Sequence, residues 1–245
     1  MIMEQKLEIN RFKIFSSSAL KLIAIAAMLS GHITKFYFYH FTRTMATWPT
    51  ATLFTIAGRP ISFYMLLLMF GRFAFPLFAF MLVIGFEKTR NRKKYGLRLF
   101  FLALISEIPF DLMVSHSLWD PGHNNVIFTL LMGYLAMCSL EYFKQNKIVS
   151  FLIVVGLYLL SRHFNADYRT AGYLFILVLY GLRKEKILQC LIPSAFLPMK
   201  FMVFLSLVLT CFYNGQRGFL KSPFWKYFFD LFYPIHMLII YLLAR

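Results

Sequence analysis

Gly71–Asp111 reads GRFAFPLFAFMLVIGFEKTRNRKKYGLRLFFLALISEIPFD. Two apolar runs flank a short loop dense in cations. Arg72 stands near the start of the first run, and Glu107 and Asp111 near the end of the second. Charges inside apolar runs are expensive, so these three are expected to do a job.

The rest of the chain repeats the pattern. Of 245 residues, 60% are hydrophobic and 15% charged, against about 25% charged in soluble domains. The sequence predicts an all-α, polytopic membrane bundle that forms one domain over residues 1–245. The formal charge of +16 points to no nucleic acid, because the cations sit in short loops beside apolar runs, as the positive-inside rule requires. Cys138, Cys190 and Cys211 lack zinc-site spacing and read as buried apolar side chains, and no metal is expected.

Residues 1–18 read as a cytoplasmic segment. The expected helices are Ala19–Phe38, Ile61–Phe86, Leu99–Val114, Asn125–Tyr142, Ile148–Leu160, Ala171–Leu182 and Tyr227–Ala244. Ile187–Leu197 and Phe201–Phe212 are short for ordinary spans and form either a hairpin or one broken helix. The hairpin reading gives nine helices, within a range of eight to ten. Trp48, in the His40–Arg59 connection, is expected at an interface, and Pro76 is expected to kink its helix near Arg72. The loops at 87–98, 144–147, 183–186 and 213–226 are basic and read as inside. Ser115–Asn124 has no Lys or Arg and reads as outside. The amino end is then inside and the carboxyl end outside.

Glu107 and Asp111 are four apart and share a helix face. They await a cation, Arg72 or a protonated histidine, in either a structural ion pair or a functional one. His32 is the best general base among these groups, since imidazole takes and returns a proton near neutral pH. His236, in the last span, is either a core histidine or a partner that orients it. Asn125 and Thr129 share a face that either lines a cavity or glues helices. Asp167, Tyr168, Arg169 and Gly172 form a polar helix start, with Asp167 a possible cap. Tyr213–Gly218 is a basic turn that either receives phosphate on its amides and Arg217 or merely obeys the charge rule. No nucleophile elbow, Walker motif, HExxH or paired CxxC occurs.

The runs LKLIAIAAMLSGHI, GRFAFPLFAFMLVIGFEKTRNRKKYGLRL, ALISEIPFDL, NVIFTLLMGYLA, ADYRTAGYLFILVLY, FYNGQRG and FYPIHMLIIYLL, in that order, resemble the TraX family. That family is named for a conjugative-pilus protein that acetylates the amino terminus of pilin. The resemblance implies a multi-pass acyltransferase of the bacterial inner membrane, related to the acyltransferase-3 type, taking acetyl from cytosolic acetyl-CoA. It puts the catalytic histidine on His32 and the helix arginine on Arg72. The family usually has Asp directly before that histidine; here the residue is Gly31.

On this reading the donor docks on the basic loops, with Arg90, Arg92, Lys93, Lys94, Asn214, Arg217 and also Asn125 in the binding set. Glu107 or Asp111 holds the imidazole, and Thr129, Asp167, Tyr233 and His236 support the acceptor side. The acceptor is a pilin or peptide amino terminus, a glycan or a lipid. The rival classes are a proton-coupled transporter or flippase and a non-enzymatic envelope assembly subunit.

Overall fold

The computed structural model describes residues 13–38, 51–56 and 58–244. The segment 1–12, its expected cytoplasmic placement, and Trp48 lie outside the described residues. The fold is mostly helical. Helix α1 (Ser17–His32) continues as a π-helical turn, Ile33–Phe38. A hairpin follows, β1 (Thr52–Ile56) paired antiparallel with β2 (Arg59–Ser62). It is a small departure from the all-α expectation. Gly58, at φ 76°, supplies the left-handed turn.

The expected helix Ile61–Phe86 is two helices, α2 (Phe63–Gly71) and α3 (Ala74–Lys88). The break falls at Arg72–Phe73, near Arg72 as Pro76 was expected to place it. Proline clashes with the carbonyl four residues back and cannot bond to it, and four before Pro76 is Arg72. The break therefore turns Arg72 off the helix axis.

Next come α4 (Arg92–Ser115), α5 (Val126–Tyr142), α6 (Lys147–His163) and α7 (Arg169–Gly181). Then α8 (Lys186–Ser194) and α9 (Lys200–Cys211) pack on each other, the hairpin of the two alternatives. Cys190 and Cys211 lie side by side in it. The chain ends in α10 (Pro223–Ala244), which packs along α4.

Among the described residues, three stretches are long and apolar enough to cross a membrane, Ser17–Tyr37, Phe63–Lys88 and Tyr227–Ala244, rather than the nine spans expected. Several helices are shorter than the roughly 20 residues a bilayer needs. The outward face of α4 is apolar (Phe101, Leu104, Ile105, Ile108), as is that of α6 (Ile148, Phe151, Leu152, Leu159). Such faces suit lipid rather than water.

The basic loops gather at one end of the bundle. Ser17 and Ser18 amides donate to the Gln216 and Arg217 carbonyls at 2.9 and 3.1 Å. Lys88 donates to the Gly215 carbonyl and, at 3.2 Å, to the Tyr213 hydroxyl. Arg183 pairs with Glu87 at 3.0 Å. The 213–218 turn is thus the socket for the start of α1. Gly218 has φ 87°, and a Cβ there would meet the Ser16 hydroxyl at 2.3 Å. The turn offers carbonyls to α1, not a nest of amides to a phosphate.

Candidate functional site: two cavities that meet

His32 and Arg72 each follow a glycine, and those glycines are where α1 and α2 cross. A Cβ on Gly71 would lie 2.7 Å from the Gly31 Cα, and one on Gly31 would lie 3.1 Å from the Gly71 Cα. Only bare backbone permits this approach, the device that small residues supply between membrane helices. It also explains Gly31 where an Asp is expected: a side chain there would push the helices apart. The crossing brings His32 and Arg72 to the wall of one cavity of about 510 Å³.

The partner of His32 is not a carboxylate. Its Nδ1 lies 2.7 Å from His236 Nε2, with the rings coplanar to within 3°. His236 Nδ1 lies 2.8 Å from the Phe232 carbonyl. A carbonyl only accepts, so Nδ1 of His236 carries the proton and a neutral ring keeps its Nε2 lone pair. That lone pair takes the Nδ1–H of His32, which leaves His32 Nε2 unprotonated.

Glu107 and Asp111 are used elsewhere. Asn125 donates its backbone N–H at 3.2 Å, and its side-chain amide, to Glu107 Oε2. The same amide donates to the Ala103 carbonyl at 2.9 Å, while Asn125 Oδ1 caps α5 by accepting from Ile127 at 3.0 Å. Asp111 accepts from the Asp120 amide at 2.9 Å. No ion pair joins Arg72 to either acid among the described residues. The expected pair is instead a staple between α4 and the start of α5. Asn125 is its hub, a cap rather than a face-mate of Thr129, at the far end of α5 from the basic loops. In the adjoining loop, the Ser115 hydroxyl and Gly122 amide hold the exposed Asp120 carboxyl below its usual pKa.

The opposite wall of the cavity is the turn Ala166–Arg169. Thr129 donates to the Asp167 carbonyl, and the Asp167 amide donates to the Asn124 carbonyl at 2.9 Å. Tyr168 stacks on Phe75 at 4.1 Å, and Arg72 lines the same cavity. Thr129 is therefore a clamp. Asp167 is not the cap of α7; Tyr168 holds that position, without a side-chain cap bond. Asn165, Tyr168 and Arg169 all have positive φ (46°, 64° and 44°). Outside glycine and Asn this costs on the order of 1–2 kcal/mol each, and such strain persists only where the surroundings enforce it.

A second cavity, about 590 Å³, opens at the basic end. Lys94 and Arg217 line it as expected, joined by Lys21, Lys88, Arg98 and Asp230. Arg98 pairs with Asp230 at 3.5 Å. Arg90 and Lys93 are exposed and do not line it. Arg92 stacks on Phe86 at 4.5 Å, and Asn214 Oδ1 accepts from Gln216 within its own turn at 2.9 Å. Lys88 and Arg98 belong to the basic loop expected to take the donor, and Lys21, expected only as the inner edge of the first helix, joins them. Both volumes fall in the usual ligand range of about 300–1,000 Å³.

The two cavities share Met28, Phe78, Val126, Leu130 and Tyr233 as a common wall. Tyr233 is buried there. A ligand entering the basic mouth would thus have its inner end close to the His32 cavity.

The TraX protein family model matches residues 16–244. The chain belongs to the TraX family. It is also 27% identical over 248 residues to the probable fimbrial assembly protein FimC, serogroup H1, of Dichelobacter nodosus, covering 91% of this chain and 93% of that protein. No solved structure matches. The TraX match runs from the α1 socket to the end of α10, so it takes in both cavities.

Proposed function

We propose that this protein is a membrane-embedded acyltransferase that moves an acetyl group from acetyl-CoA to an amine or hydroxyl acceptor at the cell envelope. The observation that carries the reading is the His32–His236 pair, in a cavity that shares a wall with a basic one. Family membership, and a relative named for fimbrial assembly, support a pilus-linked role in a bacterial inner membrane with the basic end cytoplasmic. Acetyl-CoA is the acyl donor, a substrate rather than a resident group. The fit is one of chemistry: Lys21, Lys88, Lys94 and Arg217 offer charge to its phosphates, and the apolar shared wall accepts an uncharged arm.

In the reaction His32 Nε2 takes a proton from the acceptor as the nucleophile attacks the thioester carbonyl carbon. The carbonyl oxygen becomes an oxyanion near Arg72, whose guanidinium lines the same cavity as His32. Collapse breaks the carbon–sulfur bond, and the imidazolium returns its proton to the leaving thiolate. His236, with its own proton committed to the Phe232 carbonyl, holds His32 in the useful tautomer. That is the work expected above of Glu107 or Asp111.

The test uses purified protein in nanodiscs with acetyl-labelled acetyl-CoA. We expect CoA thiol release with label passing to an acceptor, and His32→Ala to lower the rate by about 10²–10⁴. Full activity in that variant would remove His32 as the base. A second reading draws on the same meeting cavities: a transporter would use them as the two halves of a path. It predicts substrate flux with no thioester consumed.

A further inference from the structure

The proposed reaction uses His32, His236 and Arg72 and leaves two cations of the same cavity unexplained. Lys35 lies on the π-helical turn just past His32, and Arg169 follows Tyr168 on the strained turn. Both line the cavity, and neither has a carboxylate partner among the described residues. Three full cations, Lys35, Arg72 and Arg169, face it against one acid, Asp167.

Lys35 and Arg169 are exposed at the mouth of the cavity, so solvent screens them in part, but three cations gathered around one acid still repel one another and favour an anion between them. Arg169 is held at φ 44° and Tyr168 at φ 64°. The clamp from Thr129 and the Phe75 stack fix that turn, so Arg169 starts from a set position. A guanidinium held in place is suited to bidentate recognition of a phosphate or carboxylate.

We infer that the His32 cavity binds an anionic group, a phosphate or a carboxylate, through Lys35 and Arg169, beside the nucleophile that His32 deprotonates. The inference deepens the acyltransferase reading and takes its acceptor site from it. The acceptor class becomes an amine or hydroxyl compound bearing an anion close to the reacting atom. A free ammonium with no anion nearby is disfavoured, because it would meet more positive charge than negative. The anion comes either from a soluble acceptor or from a lipid headgroup at the mouth.

The test measures direct binding to the full chain in phosphatidylcholine nanodiscs, so it does not depend on turnover. Glucosamine and glucosamine 6-phosphate present the same amine, one with a phosphate. We expect the phosphorylated sugar to bind about tenfold or more tightly, with inorganic phosphate competing. The double variant Lys35→Gln/Arg169→Gln should erase the difference and leave acetyl-CoA binding at the basic end unchanged. Arg169→Lys should restore part of it, since charge survives without the fork. Phosphatidylglycerol in the nanodisc separates the sources. If it displaces the phosphorylated sugar from wild type and not from the double variant, the site takes a headgroup.

Equal binding of the two sugars, with no competition from phosphate or phosphatidylglycerol, overturns the inference. The competition arms use wild type, so a variant that misfolds does not shelter it. A phosphate preference in a protein that neither binds acetyl-CoA nor consumes it would sink the acyltransferase reading and leave the anion site standing.

Discussion

The two cavities differ in how they are built. The basic one draws most of its cations from ends and loops that the sequence had already crowded together, and its side chains are long and partly exposed. The His32 cavity draws on α1, its π-helical turn, the break between α2 and α3, the Ala166–Arg169 turn and α10. It depends on one backbone-to-backbone approach, Gly31 against Gly71, and three left-handed residues. A site that works by charge density tolerates loose construction, whereas one that must aim a lone pair does not. The contrast predicts that small changes in the second cavity do more damage than charge removal in the first.

His236→Ala gives the sharpest break. It removes the acceptor that fixes the His32 tautomer without touching substrate, so kcat should fall by about 10–100-fold with KM for acetyl-CoA little changed. His236→Gln, whose carbonyl oxygen also accepts, should recover part of the rate. Equal activity in all three proteins would mean that the pair is only packing.

Gly71→Ala comes next. One methyl 2.7 Å from the Gly31 Cα forces backbone to move, at about 1–3 kcal/mol of stability, and shifts His32 relative to Arg72. Thermal unfolding and acetyl transfer should fall together. Gly156→Ala on α6 is the control, since a Cβ there meets nothing within 4 Å. It should be neutral or stabilising by roughly 0.5–1 kcal/mol.

Lys94→Gln and Arg217→Gln probe the looser cavity. Each should raise KM for acetyl-CoA several-fold and leave kcat nearly intact, with the penalty shrinking at high salt, as expected for partly screened charges. A collapse of kcat in either variant would mean that the basic cavity also aims the donor.

The smallest effect belongs to the loop beyond the staple. The Asp120 carboxyl is held below its usual pKa by Ser115 and Gly122. A depressed carboxyl contributes stability above its unfolded value of about 3.9 and loses that contribution as pH falls through the lower folded value. Asp120→Asn should therefore unfold slightly more easily at neutral pH, and the gap to wild type should close in acid. Activity should not change, because Asp120 itself lines neither cavity.

Much of the architecture was legible. Apolar runs between basic loops gave the helices and the end at which the loops gather, because burying backbone in an apolar medium leaves helices as the simple solution. The interruptions at Pro193, Pro198 and Lys200 marked a break without choosing between a hairpin and one broken helix. The split at Arg72 was legible, because Pro76 disturbs the helix near Arg72, four residues upstream. His32, His236 and Arg72 stood out as polar groups in apolar runs, and these came together. Glu107 and Asp111 stood out equally and went to Asn125 and the Asp120 amide. Polarity in an apolar run reveals that a partner exists without saying which.

The sequence by itself determined the membrane-type helical fold, the basic end and the short set of buried polar groups, because cost in an apolar environment is a property of each residue alone. Only the tertiary structure decided that His236 and not a carboxylate holds His32, that Gly31 and Gly71 are the crossing, and that two cavities share a wall. Those outcomes depend on distances between residues up to two hundred positions apart, set by how closely helices can approach, and no local pattern records that.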